Sequence, residues 1–445
     1  MPSCSGPAAG LVRSPAAPPA DATWSSFSHL SIGKLRPDMH GRSIVSLAPH
    51  TADLDSWQSA NGHRPAPPDP DSSACYHGGA FFEAIGERFD TLERRRRVIP
   101  ADVLDAWFPP APAVLRTLRS HLAWMVRTSP PTHGEGLVQA IADARGVPAA
   151  SVVLGGGSSD LIFLGLTQWL DRASRVLLLD PTYGEYAHVL EHVVGCQVDR
   201  LPLRRERHYR VDAAELELAL RRGYDLVILV NPNSPTGQHV PAKALAEVLD
   251  RVPARTRVWI DETYVEYAGT GESLERLAAT RDRVVVCKSM SKMYALSGVR
   301  VAYAITAPAE ARALRRRTPP WAVSLPGQIA AVRALESSAY YGRRWSETQQ
   351  IRDELARRLE AIGGLEVIEG VANFVLVHLA SHLPTARTIV ERCHEHGLYL
   401  RDAGAMSPSL GDRALRIAVR DRSTTRRMVE ILGRELNPWG RKRVA

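Results

Sequence analysis

From residue 152 onward the chain alternates short, continuous apolar runs with longer stretches whose apolar residues recur at helical spacing. The short runs predict strands over 151–154, 175–179, 226–230, 257–260, 284–287 and 300–304, and the longer ones predict helices over 159–170, 186–194, 213–221 and 242–251. Strands that are apolar at every position and separated by helices belong to a sheet covered on both faces and largely parallel. The centre is therefore expected to be an α/β, three-layer αβα domain. The last third differs. A long polar helix around 346–362, then strand and helix signals at 374–378, 385–396, 414–419 and 424–436, predict a smaller α+β C-terminal domain. At the other end, the first seventy or so residues are rich in Pro, Ala and Ser without any sustained period, and predict a disordered extension. Order is expected to begin near 79–93 and to continue through the Pro-bounded segment 103–115. The division that results is 1–72 as extension, 73–150 as an N-terminal segment and arm of the small domain, 151–330 as the large domain and 331–445 as the small one.

A chain of 445 residues is long enough for more than one core, since single cores rarely exceed roughly 250–300 residues. At 44% hydrophobic and 23% charged residues, it is too apolar to be wholly disordered. The net charge of +8 comes from arginine runs at 94–97 and 315–317 and a basic tail at 441–443. No aromatic-interleaved basic motif accompanies them, so they read as solvated faces and no nucleic-acid partner is expected. Five scattered cysteines without CxxC spacing argue for reduced thiols, against disulfides and against structural zinc, and no metal is expected. No apolar run approaches the ~18 residues of a membrane span, and the N-terminus carries no export signal. A cytoplasmic protein is expected.

Ligands of an open α/β sheet bind at the carboxyl ends of its strands, so the residues following each strand matter most. After the first come Gly155-Gly156-Gly157-Ser158-Ser159-Asp160, opening into an apolar helix. Glycines admit an anion close to the backbone, and a helix N-terminus binds phosphate. After the second comes Asp180-Pro181-Thr182-Tyr183, an aromatic on which a planar ring can stack. The next strand ends in Asn231-Pro232-Asn233-Ser234-Pro235-Thr236-Gly237, which turns the chain sharply and presents polar side chains. Asp261, at the end of Val258-Trp259-Ile260, would be costly in a crevice of low dielectric unless it met a cation such as a protonated pyridine nitrogen, and Tyr264 lies three residues on. Finally Ser289-Met290-Ser291-Lys292 is followed by Gly298-Val299-Arg300. A desolvated lysine amine is a nucleophile that forms an imine with an aldehyde, and two hydroxyls and an arginine complete a phosphate site. The order of these signals describes a phosphate, a stacked ring, a pyridinium nitrogen and an aldehyde.

With these residues the sequence resembles the fold-type I, aspartate-aminotransferase-like pyridoxal-phosphate enzymes, most closely the histidinol-phosphate aminotransferase and threonine-phosphate decarboxylase branch, from about residue 101 to 435. The resemblance implies pyridoxal 5'-phosphate as cofactor, with Lys292 forming the Schiff base and later shuttling the proton. It implies phosphate contacts from Gly157, Ser158, Ser289, Ser291 and Arg300, stacking by Tyr183, a pyridine-nitrogen contact from Asp261 and a ring-oxygen contact from Tyr264. The stretches around Arg401 and Arg416 look like this branch's arginine pair, with Arg416 for a substrate carboxylate and Arg401 for a distal anion. A homodimer is implied.

Several positions depart from the branch. Ser234 stands where an asparagine before Pro-Thr-Gly usually holds the ring oxygen, leaving Asn233 or Asn231 as substitutes. Asp105-Ala106-Trp107-Phe108-Pro109-Pro110 replaces the usual Asn-Glu-Asn-Pro, residues 127–131 replace an Arg-Tyr-Pro context, and Ala418-Val419-Arg420 replaces Thr-Val-Gly. The expected function is an aminotransferase acting between an amino acid or amine with a phosphate-like end and a 2-oxo acid. The same-fold alternative is a decarboxylase of a phosphorylated amino acid. A non-catalytic cofactor-binding regulator or nucleic-acid binder is the rival from another class, and no winged-helix pattern supports it.

Overall fold

The chain divides into residues 1–68 and 69–445. The computed structural model describes residues 78–86 and 88–436 of the second unit. The expected extension at 1–72 lies outside the described residues.

A seven-stranded sheet runs, in spatial order, Val152–Gly155, Ala302–Thr306, Val284–Ser289, Arg257–Asp261, Leu226–Val230, Arg175–Asp180 and Gln197–Pro202. All neighbours pair in parallel except Ala302–Thr306, which runs against both of its partners. Side chains of a strand point alternately to the two faces, and here both faces are apolar. Leu177, Leu179, Leu229, Ile260 and Val286 join one buried cluster, while Val176, Leu178, Ile228, Trp259 and Val285 join the other. Trp259 is fully buried against the helix Ser158–Trp169 and donates its indole N–H to the Tyr186 hydroxyl at 2.8 Å.

A second, antiparallel sheet of Arg401–Asp402, Ala414–Ala418, Phe374–Leu379 and Leu365–Ile368 is backed by the helices Ser338–Glu360, Ala386–Glu395 and Arg422–Leu436. A short parallel pairing of Ile99–Pro100 with Leu398–Tyr399 ties the N-terminal segment to it.

Two differences from the sequence reading have local causes. The strand expected over 300–304 begins at Ala302, because Arg300 adopts a left-handed backbone with φ +53° and breaks the extended run. The segment 103–115 is irregular until Pro112, where the helix Pro112–Arg127 starts with proline in its first turn.

Behind the carboxyl edge of the large sheet lies a buried charge network. The Lys288 amine sits 2.7 Å from Glu266 and 3.8 Å from both Glu262 and Glu275, and Arg145 sits 3.2 Å from Glu266 and 3.5 Å from Glu275. Arg145 also donates to the hydroxyls of Tyr294 and Tyr303. Three carboxylates thus face two cations. Burial pushes the Glu262 carboxyl up to about 7, with Lys288 opposing and Glu275 adding to the rise.

A folded-state value above the unfolded one means the folded chain binds the extra proton, so this group costs stability as pH rises from about 4.5 toward about 7. Glu262→Gln should therefore gain stability relative to the parent across that window, measured by urea unfolding at stepped pH. A relative loss would contradict the assignment. Trp259→Ala should cost about 3–5 kcal/mol in the same assay, and a loss below about 1 kcal/mol would show that the residue is not core.

Candidate active site

The strand register gathers the candidate residues. Gly155 and Ser289 both pair with Ala302, so the loops at 155–158 and 289–292 flank the approach to Arg300. Arg300 donates through Nη1 to the Ser291 hydroxyl at 3.4 Å and to the Ser297 carbonyl at 3.1 Å. Gly157 faces it so closely that a Cβ there would collide with the guanidinium, and φ of +114° independently demands glycine. Ser158 opens the helix Ser158–Trp169, and the Ser289 hydroxyl caps the backbone N–H of Ser291. A guanidinium, three hydroxyls and a helix N-terminus thus converge, a donor set suited to phosphate.

Lys292 lies one turn beyond the strand Val284–Ser289, in the short helix Met290–Met293. Its amine contacts the Asp105 carboxylate at 2.8 Å. Burial draws its pKa below the ordinary lysine value, Asp105 opposes that, and the Arg416 and Arg300 charges add to it.

Asp261 ends its strand fully buried and accepts from the Tyr186 hydroxyl at 2.8 Å, the Thr263 N–H at 2.9 Å and the Thr263 hydroxyl at 2.6 Å. Burial raises its pKa against these three donors, so a facing cation would relieve it. Tyr183 meets the Tyr186 ring edge-on at 6.0 Å and donates to Glu185 at 2.8 Å, and the same carboxylate oxygen takes the Ser159 hydroxyl at 3.0 Å. Glu185 thereby couples the Tyr183 ring to the Gly-Ser loop. Tyr264, buried, packs edge-on to Phe374, whose ring also lies beneath the Arg416 guanidinium. Arg416 is itself buried, donates to the Ser234 hydroxyl at 3.2 Å and the Asp102 carbonyl at 2.9 Å, and has its pKa pushed down to about 10 by burial. Arg401 is buried directly across the strand pair from it.

Asn233 is fully buried inside its turn, where it donates to the Pro181 carbonyl and the Thr236 hydroxyl and accepts from Thr182. Asn231 is likewise tied to both backbone groups of Val240. Ser234 accepts from Arg416 Nη1. Sequence reasoning gave no role to Asp105, Arg420 or Glu185. Asp105 and Arg420 each fall in stretches that depart from the resembled branch, and that departure was the only signal available.

A donor set suited to phosphate, a desolvated lysine amine and a buried carboxylate at one sheet edge fit a phosphorylated pyridine aldehyde. Comparison with known proteins agrees. Residues 105–432 match the family described as Aminotransferase class I and II. A histidinol-phosphate aminotransferase of Anaeromyxobacter sp. is 33% identical over 74% of this chain and 88% of its own length. That of Moorella thermoacetica is 32% identical over 55% of this chain, and the match spans 62% of the relative. An L-serine phosphate decarboxylase of Sulfurospirillum multivorans is 28% identical over 67% of this chain and 76% of its own length. Among solved structures, histidinol-phosphate aminotransferase from Sinorhizobium meliloti, in complex with pyridoxal-5'-phosphate, shares the fold with a TM-score of 0.69, at 24% identity over 82% of this chain and 99% of that one. The chain belongs to the class I and II aminotransferases, a family of pyridoxal-phosphate-dependent enzymes.

Proposed function

We propose that this chain transfers an amino group between an amino acid or amine bearing a phosphate-like end and a 2-oxo acid, as a cytoplasmic homodimer with 151–330 as its cofactor domain. The observation that carries this reading is the convergence of Lys292, the Arg300 and Ser291 pair and Asp261 at the large sheet's edge, with Arg416 reaching them from the second sheet. Bound pyridoxal phosphate supplies an electron sink for the bond that breaks at the substrate's reacting carbon. In this reading Lys292 anchors it covalently and, once displaced, takes and returns the proton at that carbon. Gly157, Ser158, Ser289, Ser291 and Arg300 bind its phosphate, Tyr183 stacks on the ring, Asp261 balances the ring nitrogen and Tyr264 holds the ring oxygen. Arg416 grips the substrate carboxylate, with Ser234 fixing the guanidinium plane. Arg401 takes the distal anion. Both arginines are buried, so an anion entering the crevice meets cations already stripped of water, where charge-assisted bonds are strong.

A second reading, decarboxylation of a phosphorylated amino acid, is favoured by the similarity to L-serine phosphate decarboxylase and by Arg420 at the end of the Ala414–Ala418 strand region. Product analysis separates the two. Against a panel of phosphorylated amino acids and amines, amino transfer to a 2-oxo acid without CO2 release supports the first reading. CO2 release independent of a 2-oxo acid would replace it with the second. Arg416→Ala should lower kcat/KM about 100-fold through loss of two charge-assisted hydrogen bonds. An effect below about threefold would remove Arg416 from the substrate site.

A further inference from the structure

The segment at 101–105 has no regular structure, yet each of its carbonyls is taken by a group from the C-terminal sheet region. The Ala418 N–H donates to the Ala101 carbonyl, Arg416 Nη2 to Asp102 at 2.9 Å, Arg420 Nη2 to Val103 at 3.1 Å, Asn373 to Leu104 at 2.9 Å and Arg420 Nη1 to Asp105 at 3.1 Å. Arg420 and Asn373 are buried, so these bonds form in a dry setting where an irregular backbone would otherwise carry unmet acceptors. What the clamped segment delivers is the Asp105 side chain. Its Oδ1 lies 2.8 Å from Lys292 Nζ and accepts the Ser297 hydroxyl at 2.7 Å, while the side chain stays 43% exposed toward the crevice.

We propose that Asp105 is the counter-ion of the Lys292 amine, holding in place the proton that this amine takes and returns, and that the Arg420 fork is the positioning device that holds Asp105 there. The proposal rests on Lys292 being the reactive amine, as in the function proposed above. The proton stays on Nζ and the carboxylate stays charged, so the pairing breaks no bond and needs no further reactant. The charged and titratable groups that face this pair are Arg300 and Arg416 around Lys292, and Arg420 and Tyr264 around Asp105. Burial and the two arginines weaken Lys292 as a base, and Asp105 is the one carboxylate opposing them. Burial would raise the Asp105 carboxyl, but Lys292, Ser297 and Arg420 outweigh it and hold it below the usual carboxylate range.

The test titrates Lys292 in cofactor-free protein by competitive acetylation with acetic anhydride, read by mass spectrometry, beside the pH dependence of absorbance in the loaded enzyme. Asp105→Asn, and Asp105→Ser as a second variant, should move the Lys292 midpoint down by about one pH unit, as expected for removal of an adjacent opposite charge. kcat should fall about tenfold or more. Arg420→Lys, which keeps the charge and loses the two-carbonyl fork, should shift the midpoint in the same direction with Asp105 still present. An unmoved midpoint in the Asp105 variants, or a moved midpoint with unchanged kcat, overturns the assignment. An unmoved midpoint in Arg420→Lys overturns the positioning role. If the parent protein bound its cofactor without any involvement of Lys292, the proposed function itself would fail, which is a separate outcome.

Discussion

A parallel sheet covered by helices on both faces leaves only its strand ends for polar chemistry. Away from their ends, the central strands Arg175–Asp180, Leu226–Val230, Arg257–Asp261, Val284–Ser289 and Ala302–Thr306 are apolar, and the two clusters they feed fill both faces. A charge placed mid-strand would be stranded in low dielectric. Accordingly Asp261, Ser289 and Lys292 follow directly as the strands run out, and the antiparallel strand returns Arg300 to the same edge. The chemistry of the site is a consequence of where this sheet tolerates polarity.

That edge is not simply exposed to water. Asp261, Arg416, Lys288 and Arg420 are buried ionisable groups, each anchored by a defined neighbour. Desolvation opposes their charged forms and facing charges offset it, at Lys288 far enough to hold the amine above the ordinary lysine value. Lys292 shows the competition most clearly, with burial and two guanidinium groups on one side and one carboxylate on the other. Rigid backing matters as much as identity. Trp259 holds Tyr186, Tyr186 holds Asp261, and Glu185 holds Tyr183.

Much of this was legible in the sequence because continuous apolar runs have one common explanation. The central strands and the residues after them emerge from pattern alone, and so does the helix at 158–169. The edge strand Gln197–Pro202 did not, since one side of it faces solvent and its polar residues break the apolar run. The helix Leu325–Leu335 was also hidden, because its core contacts are made by Ala330, Ala331 and Ala334, which give little periodic contrast. The bonds that Asn233 makes inside its turn were hidden for a different reason: a turn's internal hydrogen bonds leave no trace in residue type. Asp105 lay beyond reach because its meaning depends on four carbonyl contacts made by residues more than 250 positions away.

The central claim is that one amine, on Lys292, carries the cofactor. Borohydride reduction of the loaded protein, followed by proteolysis and mass spectrometry, locates the reduced adduct directly. The account predicts a pyridoxyl mass increment on Lys292, absent from Lys288 although that lysine is only four residues away. An increment on Lys288 or elsewhere, with Lys292 unmodified, would contradict it.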